Sequence, residues 1–224
     1  MKMMIRAAIA LGIVGVSAPL NYGQDLSKYR NFSLGMSAAN VAKLAEEKPT
    51  ETKIIYERPE LIQELTWYPA QSFGSSRPAE PIEKILFSFY DGKLYRMLVT
   101  YDGDAIKGLT NDDMIKILSA KYGTATKPDA EVSFPTNDAY RAKEKVIARW
   151  EDPRYSLNLF RASTSGTFAV VMFTKQLDAQ AGIAITESAK VERQEAPLRE
   201  AARLKQVADN LEVERQKNIK ALRP

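Results

Sequence analysis

Carboxylates and aromatic rings are the side chains with which this chain could do chemistry, because it has neither cysteine nor histidine. Those two zeros exclude serine–histidine and cysteine–histidine hydrolysis, thiolate or imidazole zinc sites and any disulfide. Glu57, Glu60 and Glu64 cluster around Pro59. One protonated and one ionised carboxylate there would do the acid and base work of a glycosidase, whereas solvated charges on strand edges would do nothing. Asp102-Gly103-Asp104 and Asn111-Asp112-Asp113 offer oxygen ligands without the glycine and glutamate spacing of a calcium loop. They read as a turn and as a helix start, where acids suit the dipole. Lys43 and Lys116 recur at equivalent places, and both are expected on exposed helix surface. No metal and no cofactor is expected.

The aromatic set points elsewhere. Trp67, Tyr68, Tyr90, Tyr95, Tyr101 and Tyr155 come from strand-like segments, and amphipathic rings on an outer sheet face are enriched where proteins bind proteins. These six are the candidate binding residues. Core packing is the competing reading for Trp67 and for Trp150, and the tyrosines divide between exposed and buried.

The elements that must position them follow from a recurrence. Gly35-Met36-Ser37 opens an amphipathic segment with Val41, Leu44 and Ala45 on one face, and Gly108-Leu109-Thr110 opens another with Met114, Ile117 and Leu118. Ser37 and Thr110 are predicted N-caps, and Asp113 stands at capping-box distance from Thr110. Strand-like runs follow each helix: Lys53 to Tyr56, Leu61 to Tyr68 and a hairpin turning at Asp91-Gly92 after the first, then Glu131 to Phe134, Val146 to Trp150, Tyr155 to Phe160 and Thr167 to Thr174 after the second. On the returning hairpin strand Tyr95, Met97, Val99 and Tyr101 are predicted to share a face. Pro69 to Pro81 and Pro135 to Glu144 read as loops.

From Asp178 strand formers vanish and Ala, Glu, Lys, Arg and Gln dominate, which predicts helix to Leu222 with a kink or restart at Pro197. Leu204, Val207 and Leu211 keep a and d spacing, but Glu214 and Asn218 take the next seam places, so a sustained heptad is absent. The expected class is α+β: two tandem helix-plus-antiparallel-meander units, 24–104 and 105–177, followed by a helical tail, 178–224.

At the other end, Met1 to Arg6 carries two positive charges and Ala7 to Val16 is apolar, the pattern of a signal peptide over 1–23 and too short to span a bilayer. Val16-Ser17-Ala18 is a small-residue cleavage signal, with a cut near Gly23 as the alternative. Net charge is +4, from 32 basic against 28 acidic residues interleaved along the chain, so no nucleic-acid footprint is present.

An exported chain with two helix-plus-meander units, each opening with Gly-Met-Ser or Gly-Leu-Thr, resembles the β-lactamase inhibitor protein family and the outer-membrane assembly lipoproteins of the SmpA/OmlA type. The resemblance covers about residues 30 to 175. It implies a rigid, non-catalytic surface that binds another protein, with no residue role that carries across. Two features depart from it: there is no cysteine to carry a lipid, and the long tail belongs to neither family. The expected function is an exported, periplasmic or secreted, protein-binding or scaffolding module. The alternatives are a carboxylate hydrolase of cell-wall glycans and a structural protein oligomerising through its tail. The expected partner is another envelope protein, with no nucleic acid and no membrane span after leader removal.

Overall fold

The structure is a computed structural model that describes residues 25–69, 81–134 and 143–222. The expected leader and most of the two expected loops lie outside the described residues. A two-residue ladder, β1 (Lys28–Tyr29) and β2 (Phe32–Ser33), precedes α1 (Ala38–Leu44). After a single 3₁₀ turn at Pro49–Glu51 come β3 (Lys53–Tyr56), β4 (Ile62–Trp67), β5 (Ile82–Tyr90) and β6 (Lys93–Tyr101). The rest is α2 (Asn111–Tyr122), β7 (Glu131–Ser133), β8 (Lys143–Glu151), β9 (Tyr155–Arg161), β10 (Phe168–Thr174) and α3 (Lys175–Ala221). The chain is therefore mixed α+β, with one large antiparallel sheet and a long C-terminal helix.

Both short helices start as their sequences require. The Ser37 hydroxyl accepts from the Asn40 N–H, and Thr110 forms a reciprocal capping box with Asp113. The glycine two residues before each cap has φ near +90° (Gly35) or +83° (Gly108), so the recurring glycine answers a backbone need that side chains rarely meet. The β5–β6 hairpin turns on Asp91 and Gly92, at φ 47° and 70°, the positive pair of a tight hairpin.

The sheet runs β3-β4-β5-β6-β10-β9-β8-β7. Its middle is the β6–β10 ladder, which pairs Val99 with Val170 and Met97 with Met172. Alternation sends Leu65, Phe87, Phe89, Met97, Val99, Leu157, Leu159, Val170 and Met172 into one cluster with Val41 of α1 and Met114 and Leu118 of α2. Trp150 belongs to this core, donating from Nε1 to the Gly123 carbonyl at 2.9 Å and so satisfying the end of α2.

The opposite sheet face carries two smaller clusters. One joins Val132, Val146, Phe160, Ala169 and Val171; the other joins Ile62 and Tyr95 to Ala181 and Ala184 of α3. The tail therefore packs its first turns on the sheet face that α1 and α2 leave free. Helix α3 begins at Lys175, three residues ahead of the predicted start, and continues through Pro197 without a second start. Its 47 residues correspond to about 70 Å at ~1.5 Å per residue.

Candidate functional site

Arg96 stands in the middle of β6, next to the apolar run Met97 to Val99, and points to the face that α3 covers. Its Nε donates to the Asp178 carboxylate at 2.7 Å, a second nitrogen lies 2.6 Å from the same oxygen, and Nη1 donates to the Ser133 carbonyl at 2.9 Å. The guanidinium also faces the Phe134 and Phe173 rings at 5.8 and 5.4 Å. One side chain thus ties β6, the end of β7 and the first turn of α3. With side chains only 10% and 19% exposed, the Arg96–Asp178 pair is poorly hydrated, and burial raises the Asp178 pKa even though Arg96 pulls it down. Glu64 is raised for the same reason, its burial outweighing Lys53, Ser88 and Arg96. Beside it the Tyr95 phenol is pushed up to about 12, chiefly by burial.

The next three turns of α3 continue the seat. Ala181, Ala184 and Ser188 are buried along one stripe, small enough for the helix to lie close to the strands. Ser188 donates to the Arg58 carbonyl at 2.6 Å, and the Arg58 guanidinium meets Glu195 at 3.0 Å. A cleft of about 320 Å³ opens between edge strand β3 and the helix, lined by Ile54, Tyr56, Ser188, Glu192, Glu195 and Arg199 among others. Past Arg199, the last residue to line that cleft, the helix leaves the body. Every described side chain from 196 to 222 is exposed, including seven large apolar ones between Leu198 and Leu222 at 45–81%.

The six expected binding aromatics do not form one surface. Tyr68 is open at 62%, but Trp67 is half-buried, edge-on to Phe32 with ring centres 5.5 Å apart. Tyr155 is half-buried against the main core with Arg154 over its ring, and Tyr90 is half-buried in the α3 seat. Tyr95 and Tyr101 are buried on opposite faces of the sheet. The expectation of a shared face for those two fails on a β-bulge: Ser88 pairs with Arg96 and Phe89 with Leu94, so Tyr95 is the extra residue and turns under α3.

The three glutamates near Pro59 have separate surroundings. Glu60 is raised chiefly by the charge of Asp91, Glu64 lies in the seat, and Glu57 lines the cleft by β3. Among the described residues no group of carboxylates could hold a metal, and no helix is long and apolar enough to cross a membrane. A second cleft, of about 580 Å³, lies between the start of α2 and β8, where Lys127, Asp112, Lys145 and Glu144 alternate in sign.

An eight-stranded antiparallel sheet with two short helices on one face and a long helix leaving the other defines a class of α+β protein. Residues 27–178 match the family described as the TP0088 domain, and the chain belongs to that family. The match covers the sheet and ends in the first turn of α3, at Asp178 itself. No curated protein matches the sequence. Among solved structures, a cysteine-rich secretory protein from Staphylococcus aureus aligns over 64% of this chain at 9% identity with a TM-score of 0.31, and the aligned part is 44% of that protein.

Proposed function

We propose that the protein is an exported, non-catalytic binding or scaffolding module of the cell envelope, whose sheet domain anchors a projecting helix that makes the contact. The observation that carries this reading is the abrupt change along α3. Its first turns are fixed by Arg96, Asp178 and Ser188, and beyond Glu195 large apolar side chains stand in solvent. Scattered apolar residues on a surface are ordinary, whereas Leu204, Val207 and Leu211 together on one exposed face of a projecting helix favour a partner. The basic start and apolar run of 1–16 support export.

The recurring Gly-to-cap motif and a sheet in which β6 and β10 meet at the centre support reading the body as two tandem units, the plan of the β-lactamase inhibitor and SmpA/OmlA families. The aromatic surface contributes less than the sequence suggests, and of the six residues Tyr68 is the best placed to touch a partner.

The test compares the mature chain with one stopped at Arg199, each used to capture proteins from envelope extract. Stopping there leaves the seat and the Arg58–Glu195 pair in place. Capture by the full chain alone supports the reading; equal capture by both moves the contact to the sheet domain, and no capture by either removes the reading.

A further inference from the structure

The projecting helix carries its apolar residues in a pattern that names an occupant. At about 3.6 residues per turn, Leu204, Val207, Ala208 and Leu211 fall on one face, roughly 100° wide, with Glu200 one turn before Leu204 and Arg215 one turn after Leu211. Lys205 and Glu212 flank the face on one side, Arg203 and Glu214 on the other; a strict 3.5-residue repeat would put Glu214 in the seam, but at about 3.6 residues per turn it falls at the edge, beside Val207. All of these side chains are exposed. Within the chain, Arg203 pairs with Glu200 at 2.7 Å and Arg215 with Glu212 at 2.9 Å, so the same ion-pair unit occurs on both sides of Leu204 and Leu211.

We propose that this face binds a second copy of the chain, the two helices running antiparallel with Leu204 of each against Leu211 of the other. That register also sets Val207 against Ala208 of the second copy and Glu200 against its Arg215. A two-fold antiparallel pair brings each flank against the same flank of the other helix. Lys205 then meets Glu212 of the second copy, and Arg203 meets its Glu214. The parallel, in-register pair does the reverse. It sets Lys205 against Arg203, Glu212 against Glu214, and Arg215 against Arg215, a like-charge contact at every place. Flanking charges set helix orientation in this way in coiled coils, and the two-fold makes the contact closed, ending at a dimer.

Mixed charges on both flanks are unlike the basic rim of a helix that lies on lipid. The seam from Glu200 to Arg215 spans about 24 Å at ~1.5 Å per residue, which makes the dimer weak and concentration-dependent. The inference rests on the reading of the projecting helix as a contact element and gives that element its partner.

Because the chain has no cysteine, single introduced thiols report the pairing cleanly. Leu204→Cys and Leu211→Cys chains are mixed and mildly oxidised, and sedimentation is followed over a concentration series of the unmodified mature chain. The expected result is a concentration-dependent dimer and a disulfide joining 204 to 211. Disulfides joining like positions should be absent, since these lie seven residues, about 10 Å, apart along the axis, beyond disulfide reach. Arg215→Glu should weaken the dimer roughly five- to tenfold, and adding Glu200→Arg should restore it. Disulfides of 204 to 204 and 211 to 211 would overturn the proposal in favour of parallel pairing. A chain that stays monomeric to high micromolar concentration and forms no mixed disulfide would also overturn it. Tail-dependent capture of another envelope protein would in that case leave the proposed function standing.

Discussion

The two ends of α3 are one uninterrupted helix with opposite solutions to the same problem. Between Lys175 and Glu195 the fully buried side chains are small, Ala181, Ala184 and Ser188, with Leu177 and Ile185 half-buried beside them, and Asp178 and Ser188 are paired with the body. Between Leu198 and Leu222 seven large apolar side chains are exposed and none is buried. Small residues let a helix lie close to strands already filled by Ile62 and Tyr95, while large ones on a free helix gain only when another surface covers them. Tertiary stability and helix length are thus separated within a single element: the sheet domain holds the first part, and the second part is available.

Removing Arg96 should break this contrast most severely. Arg96→Ala leaves the Asp178 carboxylate poorly hydrated and unpaired, and unfolding of the body in denaturant should show a loss of roughly 3 kcal/mol. Overfilling the seat comes next. Ala181 is fully buried, so Ala181→Leu should cost about 1–3 kcal/mol in the same measurement and loosen the first turns of α3.

A smaller effect comes from pH. Glu64 and Asp178 have folded pKa values above their unfolded ones, so the folded body holds the extra protons. Its stability should therefore rise as pH falls from neutral through the folded values, with no further gain from these groups below the ordinary carboxylate range. Glu64→Gln should flatten that slope in denaturation curves taken at several pH values. The smallest effect on stability belongs to the projecting half. Leu211→Lys should change unfolding by less than about 0.5 kcal/mol while abolishing whatever the tail binds, measured by sedimentation or capture.

Much of this architecture is legible from local chemistry. The Gly-to-cap motifs, the Asp91-Gly92 hairpin and the apolar central strand β10 each carry their signal within a few residues, and each stands where that signal puts it. The seat is not legible in that way. Arg96 and Asp178 are 82 positions apart, and the only local hint is a guanidinium inside the apolar run Tyr95 to Val99. Tyr95 is misplaced by the simple alternation rule because a bulge adds one residue to β6, and a period of two has no way to register it. Pro197 illustrates a different limit. A proline removes one donor and strains the preceding turn, yet the helical residues on both sides carry α3 across it.

Amide hydrogen exchange along α3 in dilute protein tests the separation of the two halves most directly. The expected result is a step near Glu195: slow exchange through Ala181 to Ser188, close to that of β6 and β10, and fast exchange from Arg199 onward, slowing only as protein concentration rises or a partner is added. Protection from Arg199 to Ala221 equal to that of the seat at the lowest concentration would contradict the account, as would fast exchange across the seat itself.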